Sequence, residues 1–285
     1  MKVLSLFDGI SAGQVALQKA GIQVDTYYAS EIDTYAIKVT QNNFPNTIQL
    51  GSITEWKTWD IDWSSIDLVF GGSPCQGFSI AGKQLNFDDE RSKLFFTFVD
   101  VVKHIKSFNP NVFFMLENVG MKKEYEDIIT EYMGVNPIKI NSSLVSAQNR
   151  KRLYWTNIPN ITQPEDKGIL LKDILMDDSI IDDKYKLSDI AIDYMNRLRN
   201  GRPRWKYHTN YLDGKAACLT ANMYKGVPYG IIMEKKRRLT VEECEILQTF
   251  PINYTSCVSN TQRYKALGNS WTVDVIAHIF KNISI

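Results

Sequence analysis

Short apolar runs alternate with helical patterns along the first 155 residues of this chain, and this alternation restricts its fold more than any other feature. The predicted strands are Val3–Phe7, Tyr27–Ser30, Ile66–Phe70, Val112–Leu116 and Leu153–Trp155. The predicted helices between them are Ala12–Ala20, Thr34–Asn43 and Arg91–Ser107. Since each of the first three strands is followed by a helix, we expect an α/β fold in which helices cover a parallel sheet.

The regular alternation ends near Pro159, and the following hundred or so residues are irregular and polar. A helical pattern returns where Thr240 can cap a helix over Val241–Gln248, with Glu243 completing a capping box. An apolar helix over Ser270–Ile279 is predicted last. The residues after Pro159 are therefore a candidate for a second, small domain.

Charge is unevenly distributed within this small domain, although the whole chain carries a formal net charge of only +1. Residues 160–195 contain nine acidic and four basic side chains, whereas residues 197–238 contain eleven basic and two acidic ones. A basic block beside an acidic one is typical of a polyanion-binding surface. A solvated charged surface would give the same pattern.

Cysteine and histidine usage argues against a metal or disulfide framework. The four cysteines are dispersed without a CxxC pair, and there are only three histidines. The apolar runs are too short to span a membrane, and the N-terminus lacks a signal-peptide pattern. We expect a protein of a reducing, cytoplasmic compartment that binds neither metal nor membrane.

A cysteine follows the strand predicted at Ile66–Phe70, in the turn Gly71–Gln76. Ligands of open α/β sheets bind at the carboxyl ends of the strands, and the glycines and Pro74 would aim the Cys75 sulfur there. Cys75 is thus a candidate nucleophile. The alternative is a free buried cysteine without a chemical role.

The turn Phe7–Gly13 and Glu31 lie at the ends of the first two predicted strands. Two glycines allow backbone N–H groups to face a ligand, and an acidic residue at the end of the second strand suits ribose hydroxyls. The glycine spacing differs from that of dinucleotide-binding turns. Together these features favour an adenosine-type cofactor.

Two polar pairs occur at the ends of later strands. Glu117 and Asn118 follow Val112–Leu116, where a desolvated carboxyl can hold or deliver a proton; a helix N-cap or a structural carboxylate is the alternative. Arg150 and Arg152 would share one face of an extended segment, which suits an anionic or base-edge group. A solvated edge strand is the alternative there.

The order of these motifs resembles that of the cytosine-C5 DNA methyltransferase family over nearly the whole chain. The matching motifs are Phe7–Gly9, Glu31, Pro74–Gln76, Glu117–Val119, Gln148–Arg152, Arg238–Thr240, Phe250–Pro251 and Gly268–Ser270. Phe7–Gly9 and Leu267–Phe280 are also similar to the catalytic domain of the vertebrate de novo enzymes. The resemblance implies a Rossmann-like S-adenosylmethionine-dependent methyltransferase sheet with a smaller target-recognition domain. The catalytic and cofactor-binding domain would comprise residues 1–158 and 262–285, and the target-recognition domain residues 159–261.

The resemblance also implies a mechanism. Cys75 would attack C6 of a flipped-out cytosine, Glu117 would bind N3, and Arg152 would bind O2. Asn118 and Arg150 would hold the loop that carries Cys75 or the substrate. The segment Gln76–Arg91 would close over the base, with Gln76, Ser79 and Arg91 against DNA.

S-adenosylmethionine would be the methyl donor, and S-adenosylhomocysteine the product. The residues assigned to its pocket by resemblance are Phe7, Asp8, Gly9, Ile10, Gly13, Glu31, Ile32, Ser52, Ile53, Pro74, Asn269, Ser270 and Trp271. The family usually has Asp at the position of Ser52. A serine hydroxyl can still accept a hydrogen bond from the adenine amino group, but a weaker one.

Double-stranded DNA would be the partner, and Arg202, Arg204 and Lys225 are the candidate base readers, with phosphate contact as the alternative. The compact form resembles a bacterial or phage modification enzyme that acts as a monomer, with a separately encoded restriction endonuclease as a possible companion. Two alternatives stay open: a cytosine-C5 methyltransferase of transfer RNA, whose Cys-Phe-Thr signature Cys218–Thr220 resembles, and a non-catalytic DNA-binding relative.

Overall fold

The computed structural model describes residues 1–73, 90–204 and 210–284, with the backbone alone for residues 90–92. The chain divides into two compact units. Unit 1 comprises Met1–Ile140, Lys151–Gln163 and Ile276–Ile285, and unit 2 comprises Asn141–Arg150 and Pro164–Val275. The assignment of residues 159–261 to target recognition stays a prediction.

Unit 1 is built on a seven-stranded sheet in the order β3-β2-β1-β4-β5-β7-β6. Its strands are β1 (Lys2–Leu6), β2 (Thr26–Ser30), β3 (Ile48–Gln49), β4 (Leu68–Gly71), β5 (Phe113–Val119), β6 (Ile138–Asn141) and β7 (Lys151–Thr156). The predicted α/β class is confirmed. β3 and β6 escaped the sequence analysis because β3 has two residues and β6 has four, too few for a clear alternation.

The prediction of an all-parallel sheet was wrong at one strand. β1 to β5 pair in parallel, but β7 runs antiparallel to β5. An antiparallel strand next to a parallel set is common in large α/β sheets. Alternation alone carries no information on strand direction, because a buried strand is apolar on both faces in either orientation.

Four helices of unit 1 follow the strands: α1 (Ala12–Ala20), α2 (Thr34–Asn43), α3 (Glu90–Phe108) and α4 (Lys123–Met133). Their ends follow ordinary capping chemistry. Gly21 ends α1 with φ 76°, and the Asp33 carboxylate accepts hydrogen bonds from the N–H groups of Tyr35 and Ala36 at the start of α2. The predicted bounds of α1 and α2 are confirmed.

The main core of unit 1 lies where the central strands meet α3. Leu4, Val69 and Phe114 pack with Phe95 and Phe98, and all five side chains are buried. Such continuous burial explains why these strands read as apolar runs. It also fixes the strand ends from which the polar residues project.

Unit 2 contains short elements. They are α5 (Asp189–Asn196), β8 (Leu198–Arg199), β9 (Arg202–Pro203), β10 (Ile231–Ile232), β11 (Arg237–Arg238), α6 (Val241–Leu247) and α7 (Asn260–Asn269). The predicted capping box of α6 is confirmed, since Thr240 and Glu243 each accept a hydrogen bond from the other's backbone N–H. Glu243 also forms a buried bidentate ion pair with Arg237, at 2.8 and 2.9 Å.

The helix predicted over Ser270–Ile279 begins later, as α8 (Val273–Phe280). Ser270 is extended at the end of α7, where its N–H donates to the Ala266 carbonyl at 2.9 Å. Ser270 and Trp271 thus lie between two helices. No helix in the described ranges is long and apolar enough to cross a bilayer.

Candidate active site

The sheet order creates a switch point between β1 and β4. The chain proceeds outward from β1 through β2 to β3, and then returns to the other side of β1 with β4 and β5. Loops at the carboxyl ends of β1 and β4 therefore diverge, which opens the crevice where ligands of open α/β sheets bind. The Phe7 loop, Glu31, Ser73 and Glu117 all lie at or near this edge of unit 1.

Glu117 and Arg152 form an ion pair at this edge. The distance from Arg152 Nε to Glu117 Oε1 is 2.9 Å, and the side chains are only 14% and 10% exposed for Arg152 and Glu117. Glu117 is opposite Tyr154 in the β5–β7 register, so Arg152, two residues before Tyr154, is its diagonal neighbour on the same face. Glu117 lies inside β5 rather than after it, which excludes the helix-cap alternative.

Asn118 connects β5 to the turn after β4. Its side-chain amide lies 3.3 Å from the Ser73 hydroxyl and 3.4 Å from the Ser73 carbonyl, and its Oδ1 accepts the N–H of Val119. Both side chains are buried. Asn118 thus holds the last described residue before Pro74, Cys75, Gln76 and Ser79, which lie outside the described residues together with the side chain of Arg91.

Arg150 belongs to unit 2 and lies before β7, outside the strand that was expected to carry both arginines. Its buried guanidinium donates to the carbonyls of Leu219 at 2.9 Å, Gly268 at 3.3 Å and Ser270 at 2.7 Å. It also lies 3.3 Å from the Cys218 sulfur. These contacts hold two segments of unit 2 together, a positioning role that the sequence did not predict.

The Phe7 loop has an unusual backbone. Phe7, Gly9 and Ser11 have φ of 59°, 59° and 56°, in the left-handed region that costs energy for residues other than glycine. The Glu31 carboxylate holds this loop, accepting the N–H of Gly9 at 2.8 Å while its other oxygen accepts those of Ile32 and Asp33. A carboxylate has about four acceptor sites, so Glu31 can also accept from hydroxyl groups.

Asp8 lies beneath the same loop and not on its surface. Its carboxyl accepts hydrogen bonds from the Tyr27 hydroxyl at 2.7 Å and from the Ser11 hydroxyl. Ser11 in turn accepts from Thr40 and Gln14. Burial raises the pKa of Asp8 from 3.8 to about 6, while the hydrogen bonds act in the opposite direction.

The other residues assigned to the cofactor fall into three groups. Ile10, Gly13 and Ile53 are buried and support the loops from below. Ile32 is 73% exposed, an apolar side chain in water beside Glu31. Ser52 caps the 3₁₀ helix Ile53–Thr58, with its hydroxyl 2.7 Å from that of Thr54.

Asn269, Ser270 and Trp271 lie in unit 2. Asn269 is exposed, and Ser270 and Trp271 are half-buried. Arg202 and Lys225 are exposed as well, whereas Arg204 is half-buried and stacks over the Tyr194 ring at 4.8 Å. The Lys215 ammonium group, part of the basic block, donates hydrogen bonds to the carbonyls of Ser143, Ser146 and Ile169.

Sequence reasoning missed the residues that support the site. Ser73 was read only as part of a turn, and Ser11, Tyr27 and Thr40 carried no signal because isolated hydroxyl residues are common. Asn200–Gly201 did carry a signal, since Asn-Gly predicts a β-hairpin. Among the described residues, no group of three or more His, Cys, Asp or Glu side chains could hold a metal ion.

The fold and this edge of the sheet define an α/β methyltransferase of the S-adenosylmethionine-dependent class. The profile of the C-5 cytosine-specific DNA methylase family matches residues 1–165 and 138–285. The chain therefore belongs to this family, and it is a DNA cytosine-5 methyltransferase.

Two relatives are similar over almost the whole chain. The type II methyltransferase M1.ScrFI of Lactococcus lactis subsp. cremoris is 33% identical over 304 residues, which cover 96% of this chain and 76% of the relative. The type II methyltransferase M.HhaI of Haemophilus parahaemolyticus is 27% identical over 321 residues, covering 99% and 94%.

Solved structures show the same fold. The Entamoeba histolytica methyltransferase EhMeth matches with a TM-score of 0.75 and 19% identity, covering 99% of this chain and 97% of its own. A putative DNA modification methyltransferase from an E. coli prophage matches with a TM-score of 0.74 and 21% identity, covering 99% and 98%. The Spodoptera frugiperda DNMT2 mutant matches with a TM-score of 0.68 and 22% identity, covering 99% of this chain and 98% of its own.

Proposed function

We propose that the enzyme methylates C5 of a cytosine flipped out of a short specific duplex site, through a covalent adduct of Cys75. The observation that carries this proposal is the Glu117–Arg152 pair, at the sheet edge where the turn that leads to Cys75 begins. Flipping is required because C5 and C6 cannot be attacked within a stacked duplex.

Cys75 acts as a thiolate. Its sulfur bonds to C6, and the displaced electron pair makes C5 nucleophilic. After C5 has been methylated, a base removes the C5 proton, the electron pair re-forms the C5–C6 double bond, and the C6–S bond breaks to return the thiolate. A free thiol is only a few per cent ionised at neutral pH, so the surroundings of Cys75 must favour the thiolate.

Glu117 and Arg152 bind the polar edge of the base. The Glu117 carboxyl holds or delivers a proton at N3, which lets the ring accept electron density during attack at C6. Arg152 donates to O2 and, through its ion pair, holds Glu117 at a fixed angle. Asn118 positions the turn after β4 through its bonds to Ser73.

S-adenosylmethionine supplies the methyl group and leaves as S-adenosylhomocysteine. The residues at the ends of β1 and β2 fit such a group: Glu31 offers acceptor sites to ribose hydroxyls, and Ile32 and Phe7 offer apolar surface to adenine. The N–H groups of Asp8, Gly9 and Ser11 donate to the Ser30 carbonyl, the Glu31 carboxylate and the Asp8 carbonyl, so they hold the shape of the loop and, contrary to the expectation from the glycine spacing, do not face the ligand. The resemblance to the family assigns Asn269, Ser270 and Trp271 to the cofactor as well.

In the cell, the enzyme acts in the cytoplasm as a monomer on DNA and protects sites that a separately encoded endonuclease cleaves. Bacterial relatives of type II support this role. Arg202, Arg204 and Lys225 are the proposed DNA contacts of unit 2, and Gln76, Ser79 and Arg91 those of the segment after Cys75.

Methyl transfer to competing substrates tests the proposal. The protein is incubated with radiolabelled S-adenosylmethionine and either duplex DNA or transfer RNA, and bisulfite sequencing then locates the modified cytosine. We expect label in DNA alone, at C5 of one short sequence, and none with Cys75→Ser. Label entering only RNA, or full activity of Cys75→Ser, would overturn the proposal.

A further inference from the structure

Four arginines share one face of a β-hairpin in unit 2. β8 and β9 pair antiparallel, with Leu198 opposite Pro203 and Arg199 opposite Arg202. The N–H of Arg204 donates to the Arg197 carbonyl at 3.0 Å, which extends the register by one pair. Since side chains alternate between faces, Arg197, Arg199, Arg202 and Arg204 lie on one face and Leu198 and Pro203 on the other. We call this the arginine face.

The turn fixes this register. Asn200 and Gly201 have φ of 50° and 74°, the pair of positive values that a type I′ turn requires. Such a turn matches the twist of its flanking strands and permits one pairing. A slip by one residue would send half of the arginines to the opposite face, so the Asn-Gly turn determines the arginine face.

The arrangement is unfavourable for the hairpin alone. Like charges directly opposite one another on a β-ribbon destabilise it. In the part of the chain that the structure describes, Arg197, Arg202 and Arg204 have no ion pair with a carboxylate. Arg204 instead stacks over Tyr194, with Nη1 3.4 Å from the hydroxyl, while Arg197, Arg199 and Arg202 are exposed. An anionic partner would relieve this repulsion.

Duplex DNA fits this face in shape and charge. The major groove of B-form DNA is about 12 Å wide and admits a two-stranded β-ribbon, whereas the major groove of duplex RNA is too narrow. Arginine binds guanine O6 and N7 with both ends of its fork, and it also binds phosphate. We infer that the β8–β9 ribbon enters the major groove of the target duplex, where Arg199 and Arg202 at its tip bind guanine or phosphate. This inference rests on the proposed function, because it takes duplex DNA as the substrate.

A charge-neutralised ribbon tests the inference. In Arg199→Gln/Arg202→Gln the turn and the strand pairing are kept, and two cations are removed. Binding to a fluorescent duplex that contains the mapped site is measured by anisotropy from 50 to 300 mM salt. Affinity should fall at least about tenfold, and the slope of log K against log salt should flatten by about two. Binding of S-adenosylmethionine should be unchanged.

The matched control is Lys172→Gln/Lys186→Gln. It removes two cations from unit 2, but from lysines that are exposed and already paired with Asp213 and Asp183. Its affinity for DNA should stay within about twofold of the unmodified protein. An equal loss in this control would mean that net charge, and not the arginine face, governs binding, and would overturn the inference.

Arg202→Lys separates base reading from phosphate contact, because lysine keeps the charge and loses the fork. Methylation of a randomised duplex library should lose selectivity at one guanine if Arg202 reads a base. Unchanged selectivity with an unchanged salt slope assigns Arg202 to phosphate in the same groove.

The outcomes separate the inference from the proposed function. If the unmodified protein methylates DNA and the Gln variant binds as well as the control, the ribbon inference is wrong and the function stands. If the protein binds duplex DNA but transfers no methyl group, the proposed function is wrong, and the binding data still test the ribbon inference. Equal competition by duplex RNA, or no duplex binding at all, contradicts the ribbon as a DNA reader.

Discussion

At the scale of single residues, Glu117 and Arg152 meet because β7 returns antiparallel to β5. The diagonal position in this register brings the carboxylate and the guanidinium to 2.9 Å, with little exposure to water. Two charges so buried are stable only as a pair, and each orients the other. The geometry is therefore rigid before any substrate binds, which favours catalysis.

Glu117→Gln should lower methyl transfer by about a hundredfold or more, because glutamine keeps the size and one acceptor but cannot supply the proton. The free energy of cofactor binding should not change. Single-turnover transfer to the mapped duplex is the measurement. Glu124→Gln is the control, since its carboxylate is 61% exposed on α4 and pairs with the exposed Lys122. Full activity of Glu117→Gln would contradict the assigned role.

Asp8 gives a prediction about pH. Burial raises the pKa of Asp8 to about 6 from 3.8. A carboxyl whose pKa is higher in the folded state contributes its full stability below the unfolded value, and loses it as the pH rises through the folded value. The loss falls between about pH 4 and pH 6 to 7, and amounts to at most about 3 kcal/mol.

Asp8→Asn removes the ionisation; its amide oxygen can keep one of the two hydrogen bonds that Asp8 accepts from Tyr27 and Ser11, and the loss of the other does not depend on pH. Its free energy of unfolding, relative to the unmodified protein, should therefore increase between pH 4 and pH 7.5. Urea unfolding at both pH values measures this, with the exposed Asp60→Asn as control. Parallel pH profiles for the Asp8 variant and the unmodified protein would show that burial does not raise this pKa.

The sequence predicted which residues belong to the edge of the sheet, but not how each one acts. Strand ends and motif order mark Glu117, Arg152 and Glu31, which lie at this edge, and their roles stay predictions. The burial of Asp8 under the loop and the contacts of Arg150 with carbonyls were not predicted. Such burial depends on tertiary neighbours such as Tyr27 and Leu219, which no local pattern identifies.

At the scale of elements, β4 must pass very close to β1. A Cβ at Gly71 would lie nearer to the Leu6 carbonyl oxygen than the 3.0 Å that real Cβ atoms keep. The obstacle is the backbone of the last residue pair between β1 and β4, so it cannot rotate away as a side chain could. Glycine at this position lets the turn toward Ser73 leave the sheet beside the Phe7 loop.

Gly71→Ala should destabilise the protein by about 1–3 kcal/mol, because the added methyl group separates two paired strands. Urea denaturation is the measurement. Gly120→Ala, just after β5, is the control, since a Cβ there meets nothing within 4 Å. Equal midpoints for the two variants would contradict the close approach of β4 to β1.

Whether a segment forms a helix or a strand was predictable where the periodic pattern of apolar residues extended over many residues, as in α1 and α2. Strand direction was not predictable, as β7 shows. Its residues Leu153–Trp155 are buried and would give the same apolar pattern in either strand direction. The end of β5 was placed too early, because Glu117 and Asn118 are polar residues within a strand. Their partners on β7 satisfy them there.

At the scale of the whole molecule, the two units contain different groups of candidate functional residues. Unit 1 contains the sheet edge with Glu31, Glu117 and Arg152, and unit 2 contains the arginine face and the Arg150 contacts. The resemblance to the family implied a catalytic part and a target-recognition part, and the loss of periodicity after Pro159 agrees with a boundary there. The segments Asn141–Arg150 and residues 262–275 lie in unit 2, because carbonyl contacts and helix packing, rather than motif order, determine compact units.

The central claim is that Cys75, supported by Glu117 and Arg152, forms a covalent bond to C6 of a cytosine in duplex DNA. A duplex with 5-fluorocytosine at the mapped position tests it, because fluorine at C5 cannot leave as the proton does and the adduct persists. With S-adenosylmethionine present, the protein should form a complex that survives denaturing electrophoresis, and Cys75→Ser should form none. Absence of the complex with the unmodified protein, or its presence with Cys75→Ser, would contradict the account.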